Sequence, residues 1–348
     1  MPVHEPRVIL GDCLEVMAGM APGSVDAVVT SPPYNLRLPY ATYDDAKADA
    51  DYVDWICAVG AAVARLLAPG GSFFLNLSGS AAKPWLPFDI IVRLRTVFCL
   101  QNHITWIKSI AIGDDSVGHY KPIAGSRFMH HNHEHVFHLT ATNRVPLDRL
   151  AIGVPFKDKS NIARRAHGRD LRCRGNTWFI PYATVRSKAQ KFNHPGTFPI
   201  ELPLWCLYLT GLPSPVVLDP FAGTGSTLVA ARRAGGHGIG IEVDPAYAAI
   251  IAQRLALERD TTHPVVLDQD EMAALMAHDV AAGRRRGLPS LVVSLQDRLN
   301  KTTGVLTLTA SDLAQLAPSV RRQSGDDAQQ ERLLRIFGRH LATFHSPG

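Results

Sequence analysis

The chain has 348 residues and carries a formal net charge of +5. With 46% hydrophobic residues, it has enough apolar side chains to form the core of a large α/β domain with an appendage. It contains no run of 18 apolar residues and no basic-then-apolar leader at its start, so neither a membrane span nor a signal peptide is expected. Five cysteines without a C-x-x-C pair favour reduced thiols and a cytoplasmic protein over a disulfide framework.

The first half of the chain alternates apolar strands with amphipathic helices. The predicted elements are, in order, a strand at 7–10, a helix ending near Met20, a strand at 24–30, a loop at 36–49, a helix at 52–67 stopped by Pro69-Gly70-Gly71, a strand at 72–77, a helix at 88–99 and two strands, HITWIK at 103–108 and HEHVFHL at 133–139. The last two strands are expected to pair with each other.

The second half resumes this alternation after an arginine-rich segment of weak periodicity at 141–193. The predicted elements are a helix near 199–210, a strand at 215–220, a helix at 226–235, a strand at 237–243 and a helix at 245–259. Strands that alternate with helices predict an α/β fold with a doubly wound, mostly parallel sheet over residues 1–262. The pattern changes from about His263, so residues 263–348 are expected to form a smaller α+β appendage.

The strand at 24–30 runs into the sequence TSPPYN, residues 30–35. Pro32 and Pro33 have no N–H to donate and fix φ near −65°, and Pro32 pushes Ser31 towards an extended conformation. The chain therefore leaves the strand on a rigid ledge, at the carboxyl edge where open α/β sheets bind ligands. A plain strand-ending turn is the alternative interpretation.

The stretch VVLDPFAGTGSTLVAA, residues 216–231, predicts a strand, a glycine turn and a helix start, where free N–H groups can face a ligand. Leu228 stands where G-x-G-x-x-G has its third glycine, and Glu242 ends the next strand, where a carboxylate can accept hydrogen bonds from a ribose. These features favour a nucleoside without a pyrophosphate, with an unliganded turn as the alternative.

Together the two motifs resemble those of DNA amino-methyltransferases: DPFAGTGST resembles their S-adenosylmethionine motif and TSPPY their catalytic motif, D/N/S-P-P-Y/F. The catalytic motif comes first, an order that resembles the beta class, and the layout over residues 7–258 with a C-terminal extension is similar to cell-cycle-regulated adenine methyltransferases. The resemblance implies a fold of the S-adenosylmethionine-dependent methyltransferase type and site-specific methylation of adenine N6, or alternatively cytosine N4, in double-stranded DNA after base flipping.

The resemblance implies roles for the motif residues. Tyr34 would stack on the flipped base, while Ser31 Oγ and the Pro32 carbonyl would accept hydrogen bonds from its amino group. In-line placement of this kind can be worth ~7–11 kcal/mol. Serine is a poor base, so the proton is expected to leave through solvent. The implied catalytic residues are Ser31, Pro32, Pro33, Tyr34 and Asn35.

The resemblance also implies a cofactor site around the glycine turn. Asp12 and Cys13 would lie along the cofactor, Asp219 near its methionine moiety and Glu242 at its ribose, and His194 would either close the site or shape a turn. The implied cofactor-binding residues are Asp12, Cys13, His194, Asp219, Phe221, Gly223, Gly225, Ser226, Thr227 and Glu242.

Basic residues gather between Lys157 and Lys191, opposed only by Asp158 and Asp170. A solvated charged face is the alternative to a DNA contact, but beside a base-flipping site phosphate binding is favoured, and 141–193 is the candidate target-recognition segment. The predicted DNA-binding residues are Arg164, Arg165, Arg169, Arg172, Arg174, Arg186, Lys188 and Lys191. The extension, with Arg284, Arg285 and Arg286, is expected to contact DNA or to mediate the homodimer that the resemblance implies.

The histidine-rich stretch at 129–138 invites a metal interpretation. Strand alternation would place His131, His133 and His135 on one face, but the turn spacing of a zinc site is missing, so no metal is predicted. Glu134 falls on the opposite face and is expected to make a structural hydrogen bond.

Adenine and cytosine are closely matched as targets. Asn35 and the overall layout favour adenine, whereas Ser31, in place of the usual aspartate, and FPIELP at 198–203 favour cytosine. C5-cytosine chemistry is not expected because the chain has no Pro-Cys pair. The rival functions are a nicotinamide-dependent oxidoreductase, a non-catalytic DNA-binding regulator and an RNA methyltransferase.

Overall fold

The computed structural model describes residues 6–37, 42–118, 126–162, 171–181, 197–260 and 262–277, with a few positions between 292 and 337. The elements up to residue 140 are β1 Arg7–Leu10, α1 Cys13–Ala18, β2 Val25–Thr30, α2 Asp49–Leu66, β3 Leu67–Leu77, α3 Leu86–Leu94, β4 Cys99–Ile107, β5 Ser109–Ile112, β6 Asp115–Gly118 and β7 His133–Thr140. Those that follow are β8 Thr177–Phe179, α4 Glu201–Thr210, β9 Val216–Asp219, α5 Ser226–Arg233, β10 His237–Glu242, α6 Pro245–Asp260, β11 Thr262–Val266, α7 Gln269–Met276 and β12 Val305–Thr309.

Several local features differ from the sequence prediction. The helix predicted at 88–99 ends at Leu94, and β8 was not predicted. Helix α2 ends at Leu66 and β3 begins at Leu67, so Pro69-Gly70-Gly71 opens the strand and does not stop the helix. The antiparallel hairpin of β5 and β6 was not predicted, although Gly113, with φ of 60°, supplies the positive φ that tight hairpin turns need.

Eight strands form one sheet in the order β1-β10-β9-β2-β3-β7-β4-β8. Strand β7 runs antiparallel to both of its neighbours, and the other strand pairs are parallel. The mostly parallel, doubly wound α/β sheet is thus confirmed, as is the pairing of HITWIK with HEHVFHL, and the structure shows that this pair is antiparallel.

The middle of the sheet brings the two motifs side by side. Strand β2, which leads into TSPPYN, pairs in parallel with β9, which leads into the glycine turn, with Val28 opposite Leu218. The connections leave β2 and β9 in opposite directions along the sheet, so a topological switch point lies between them. Ligands of open α/β sheets bind at the carboxyl ends of the strands at such a point.

Helices cover both faces of the sheet. Alternate strand residues point to opposite sides, so Val28 and Phe73 pack under the layer of α1, α2 and α3, while Val29 and Phe74 pack under α4 and α5. Each fully buried side chain of this size contributes about 1.5–3 kcal/mol to folding, so the two layers hold the strand ends in place.

Part of the C-terminal extension has a small core of its own. Strands β11 and β12 pair antiparallel, and α7 packs Leu275 against Leu306, Leu308 and Phe337. Arg284, Arg285 and Arg286 lie outside the described residues. The division at residue 262 stays a prediction, and no helix among the described residues is long and apolar enough to span a membrane.

Candidate active site

A cavity opens where β2 and β9 end. It is lined by eleven of the residues that the sequence pointed to: Asp12, Cys13, Ser31, Pro32, Pro33, Tyr34, Asp219, Phe221, Gly223, Ser226 and Glu242. The two motifs, nearly 190 residues apart in the chain, therefore share one cavity.

A buried hydrogen bond ties the two motifs together. The Thr30 hydroxyl donates to Asp219 Oδ1 at 2.5 Å, and the same oxygen accepts from the Phe221 N–H at 3.1 Å. Burial raises the pKa of Asp219 to about 6, and these hydrogen bonds only partly offset the effect. Asp219 thus holds the start of the glycine turn against the end of β2.

We expect Asp219→Asn to change how thermal stability depends on pH. The amide oxygen can still accept from Thr30, but the titratable group is gone. With its pKa raised above the unfolded value of 3.8, Asp219 makes the folded parent gain stability as the pH falls from about 6 to 4. The melting temperature of the variant relative to the parent should therefore be higher at pH 7 than at pH 4.5. The exposed Asp114→Asn is the control, and an equal difference at both pH values would contradict this assignment.

Glu242 braces the glycine turn from the neighbouring strand. Its Oε2 accepts from the Gly223 N–H at 2.7 Å and its Oε1 from the Asp244 N–H at 2.9 Å. Burial raises the pKa of this carboxyl, which still lies in the cavity wall. Each carboxylate oxygen has a second lone pair, so both can also accept from hydroxyls of a ligand.

Two other predicted positions shape the turn from behind and do not line the cavity. Gly225 has φ of 81°, and a Cβ on it would come within 2.9 Å of Ile251, so glycine is required for the turn and for its packing against α6. Thr227 is fully buried and donates to the Val29 carbonyl at 3.2 Å, which links α5 to β2.

Asp12 and Cys13 form the wall beside β10. Asp12 is the N-cap of α1, because its Oδ1 accepts from the Leu14 and Glu15 N–H groups at 2.8 and 3.2 Å. Burial raises the pKa of the Cys13 thiol to about 12, so this sulfur is a neutral part of the wall and not a nucleophile.

The TSPPYN segment forms the opposite wall, where a cluster of polar groups meets. Tyr34 Oη lies 2.6 Å from Ser31 Oγ and donates to Glu134 Oε2 at 2.9 Å. Asn76 Nδ2 donates to Tyr34 Oη at 2.7 Å and to Glu134 Oε2 at 2.8 Å, and Lys108 Nζ forms an ion pair with Glu134 Oε1 at 3.0 Å.

Sequence reasoning missed Asn76, Lys108 and the position of Glu134 in this cluster. Glu134 makes hydrogen bonds, as expected, but it makes them in the cavity wall. Because β7 runs antiparallel, its first residues lie at the same edge as the ends of β2 and β3. A polar residue at the end of the apolar run SFFLNL was the signal available for Asn76.

Asn35 lies behind the cavity wall. It is fully buried with φ of 57°; its N–H donates to Asp45 Oδ1 at 2.8 Å and its Nδ2 to the Lys47 carbonyl at 2.9 Å. These bonds hold the loop that precedes α2. That loop carries Tyr43, which stacks on Trp55 at 5.3 Å, and both aromatic rings line the cavity.

A family model described as DNA methylase, for N6-adenine and N4-cytosine enzymes, matches residues 25–253. The chain belongs to the N6/N4 DNA methylase family. The match takes in both motifs and the strands that carry them.

Curated relatives are methyltransferases of bacteria. The type II methyltransferase M.ScaI of Streptomyces caespitosus is 26% identical over 74% of this chain and 84% of its own length. The DNA adenine methyltransferase YhdJ of Escherichia coli K12 is 27% identical over 71% of this chain and 82% of its own length.

Solved structures agree on the fold. A putative DNA modification methylase from Thermus thermophilus, solved with S-adenosyl-L-methionine, is 27% identical, has a TM-score of 0.50 and covers 72% of this chain and 93% of its own. The cytosine-N4-specific PvuII DNA methyltransferase has a TM-score of 0.54 at 18% identity, over 85% of this chain and 94% of its own, and so bears on the fold alone.

Most of the DNA-contact residues predicted for this DNA methylase lie outside the described residues, as does His194. These residues are Arg164, Arg165, Arg169, Arg186, Lys188 and Lys191. Arg172 is exposed, whereas Arg174 is half-buried, donates to the Ile152 carbonyl at 2.9 Å and lies 4.2 Å from the ring centroid of Trp205. Within the candidate recognition segment, Arg174 therefore supports the fold.

Three histidines at and just before the start of β7 form a row with His103 of β4. His103 Nε2 lies 3.0 Å from His135 Nδ1, and the rings of His131, His133 and His135 follow one another at 5.2–5.4 Å. Burial lowers the pKa of His135 to about 4, so this ring is neutral at pH 7. Within the described residues, no cluster of His, Cys, Asp or Glu could hold a metal ion.

Proposed function

We propose that this DNA methylase transfers a methyl group from S-adenosylmethionine to N6 of adenine in double-stranded DNA, with the target base flipped out of the helix. The observation that supports this proposal is the shared cavity, in which the TSPPYN ledge faces the glycine turn. A methyl donor on the turn and a base on the ledge would meet there, which is the juxtaposition that in-line transfer requires.

The residues on the cofactor side suit S-adenosylmethionine, which supplies an electrophilic methyl group on a positively charged sulfur. Glu242 offers two acceptor oxygens to ribose hydroxyls, as its place at the end of β10 leads one to expect. The rings of Phe221 and Trp55, 5.3 Å apart, offer apolar surface to a purine. Buried Asp219 adds negative potential on the side where a sulfonium would lie.

The residues on the substrate side suit an amino group of a flipped base. Tyr34 presents an aromatic ring for stacking, and Ser31 Oγ and the Pro32 carbonyl are the acceptors for the amino hydrogens. Tyr52 donates its hydroxyl to the Pro33 carbonyl at 2.5 Å, which keeps the ledge in one position. Rigid acceptors orient the nitrogen lone pair towards the methyl group.

Adenine is proposed over cytosine because of Asn35 and the overall layout, while Ser31 and FPIELP favour the N4-cytosine alternative. We expect the full chain, incubated with duplex DNA and S-adenosylmethionine, to produce N6-methyladenine when the DNA is digested and its nucleosides are identified by mass spectrometry. N4-methylcytosine as the only product would overturn the choice of base. A lack of methylation on a mixed genomic DNA substrate would overturn the proposed function.

Other parts of the assignment stay predictions. They are the DNA contacts of the basic segment 141–193, the extension at 263–348 as a DNA-contacting or dimerisation unit, the homodimer and a location in the bacterial cytosol or nucleoid. Phosphate binding by the basic segment would supply most of the affinity for DNA that does not depend on its sequence.

A further inference from the structure

We propose that Glu134 is a positioning residue that polarises a chain of hydrogen bonds from the target amino group and receives its proton at the far end. The inference rests on the proposed function, since it concerns the same cavity and the same methyl transfer. It replaces direct loss of the proton to solvent by a route through Ser31 and Tyr34.

The direction of the hydrogen bonds between Ser31, Tyr34 and Glu134 follows from the fact that each hydroxyl group has only one hydrogen to donate. Tyr34 has one hydroxyl hydrogen and donates it to Glu134 Oε2 at 2.9 Å. In the 2.6 Å contact between Tyr34 Oη and Ser31 Oγ, Ser31 must therefore be the donor. With its own hydrogen committed to Tyr34, Ser31 can act only as an acceptor towards a group in the cavity, which is the role that an amino substrate requires.

The surroundings of Glu134 suit a carboxylate that accepts hydrogen bonds at the end of this chain. Glu134 is 5% exposed and accepts from three donors, namely Tyr34 Oη, Asn76 Nδ2 and Lys108 Nζ. Hydrogen bonds to a charged acceptor are stronger than neutral ones, so this carboxylate holds the tyrosine and serine hydrogens in one direction. It also provides the negative charge that Ser31 does not.

The proposed proton transfer is balanced. As the amino nitrogen bonds to the methyl carbon, the C–S bond breaks, its electron pair stays on sulfur and the nitrogen becomes positively charged. The nitrogen then gives a proton to Ser31 Oγ, Ser31 passes its own to Tyr34 Oη, and Tyr34 passes its own to Glu134 Oε2. The methylated base and Glu134 both end neutral, and Glu134 later releases the proton to solvent.

The test measures single-turnover methyl transfer to duplex DNA by the full chain at saturating cofactor, for the parent, Glu134→Gln, Tyr34→Phe and the double variant. We expect each single variant to be slower by about 100-fold, in the range of proton-transfer catalysis, with cofactor affinity unchanged. Because both changes interrupt one chain, the double variant should be no more than about threefold slower than the slower single variant. Glu258→Gln, at a half-buried glutamate paired with Arg233 outside the cavity, is the matched control.

The outcomes separate this inference from the proposed function. An inactive parent overturns the proposed function, whereas an active parent with Glu134→Gln equally fast overturns the role of Glu134. If the double variant is slower by the product of the two single-variant reductions in rate, the role of Glu134 is also overturned, because such a result would indicate two independent structural effects. If Glu134→Gln fails to fold, Tyr34→Phe alone decides the question, because it cuts the same chain with Glu134 in place and a rate like that of the parent contradicts the relay.

Discussion

Replacement of Tyr34 by alanine should lower the rate of methyl transfer roughly 1,000-fold. Base–aromatic stacking is worth ~1–3 kcal/mol, and the alanine variant loses it together with the hydroxyl that links Ser31 to Glu134. The loss should appear in the single-turnover rate, with cofactor affinity unchanged, because Tyr34 lies on the ledge and not on the glycine turn.

Two variants control this measurement. Tyr34→Phe keeps the ring and should be faster than Tyr34→Ala by about tenfold, which isolates the stacking contribution. Trp85→Ala removes an aromatic side chain that is 72% exposed and outside the cavity, and it should behave like the parent. If Tyr34→Ala methylates DNA as fast as the parent, the proposed place of the base beside Tyr34 is wrong.

The second large effect that we expect is a loss of cofactor affinity when Glu242 is replaced. In Glu242→Gln one carboxylate oxygen becomes an amide nitrogen, which cannot accept from the Gly223 or the Asp244 N–H. A hydrogen bond to a charged group contributes about 1.5–3 kcal/mol, so the affinity for S-adenosylmethionine should fall by about 10- to 100-fold. Isothermal titration calorimetry on the full chain measures the change.

The same experiment needs a variant that alters a glutamate without touching the glycine turn. Glu258→Gln breaks an ion pair of α6 with Arg233 and should leave cofactor affinity within about threefold of the parent. Cofactor binding by Glu242→Gln as tight as that of the parent would show that this carboxylate does not hold the ribose or the turn that contacts it.

Local sequence was sufficient for features that depend on backbone chemistry. Two prolines cannot continue a central strand, and Gly225 is demanded by a positive φ and a close approach of Ile251. Helices and strands of the core followed from apolar periodicity, which is a short-range property. The hairpin of β5 and β6 escaped because it is mostly exposed and the strand DSVG carries little periodic signal.

Contacts across the sheet were beyond local reasoning. The sequence predicted Glu134 on the face opposite the histidines, but not that an antiparallel β7 would bring it next to Tyr34. Asn35 was predicted as a catalytic residue from its place in the motif, and the structure shows that it holds the loop before α2. The places of Glu134 and Asn35 in the site could not be predicted from their spacing in the sequence, because each depends on partners that are distant in the chain and come together only on folding.

The amino-acid sequence alone determined the alternating α/β pattern, the proline ledge and the glycine turn, since each depends on the conformational limits of a few neighbouring residues. Tertiary structure decided that β2 and β9 lie side by side, that their motifs share one cavity, and that Asn76 and Glu134 complete its wall, with Lys108 paired to Glu134. The physical reason is that strand order and direction, which bring distant residues together, are set by packing and hydrogen bonding of the whole sheet.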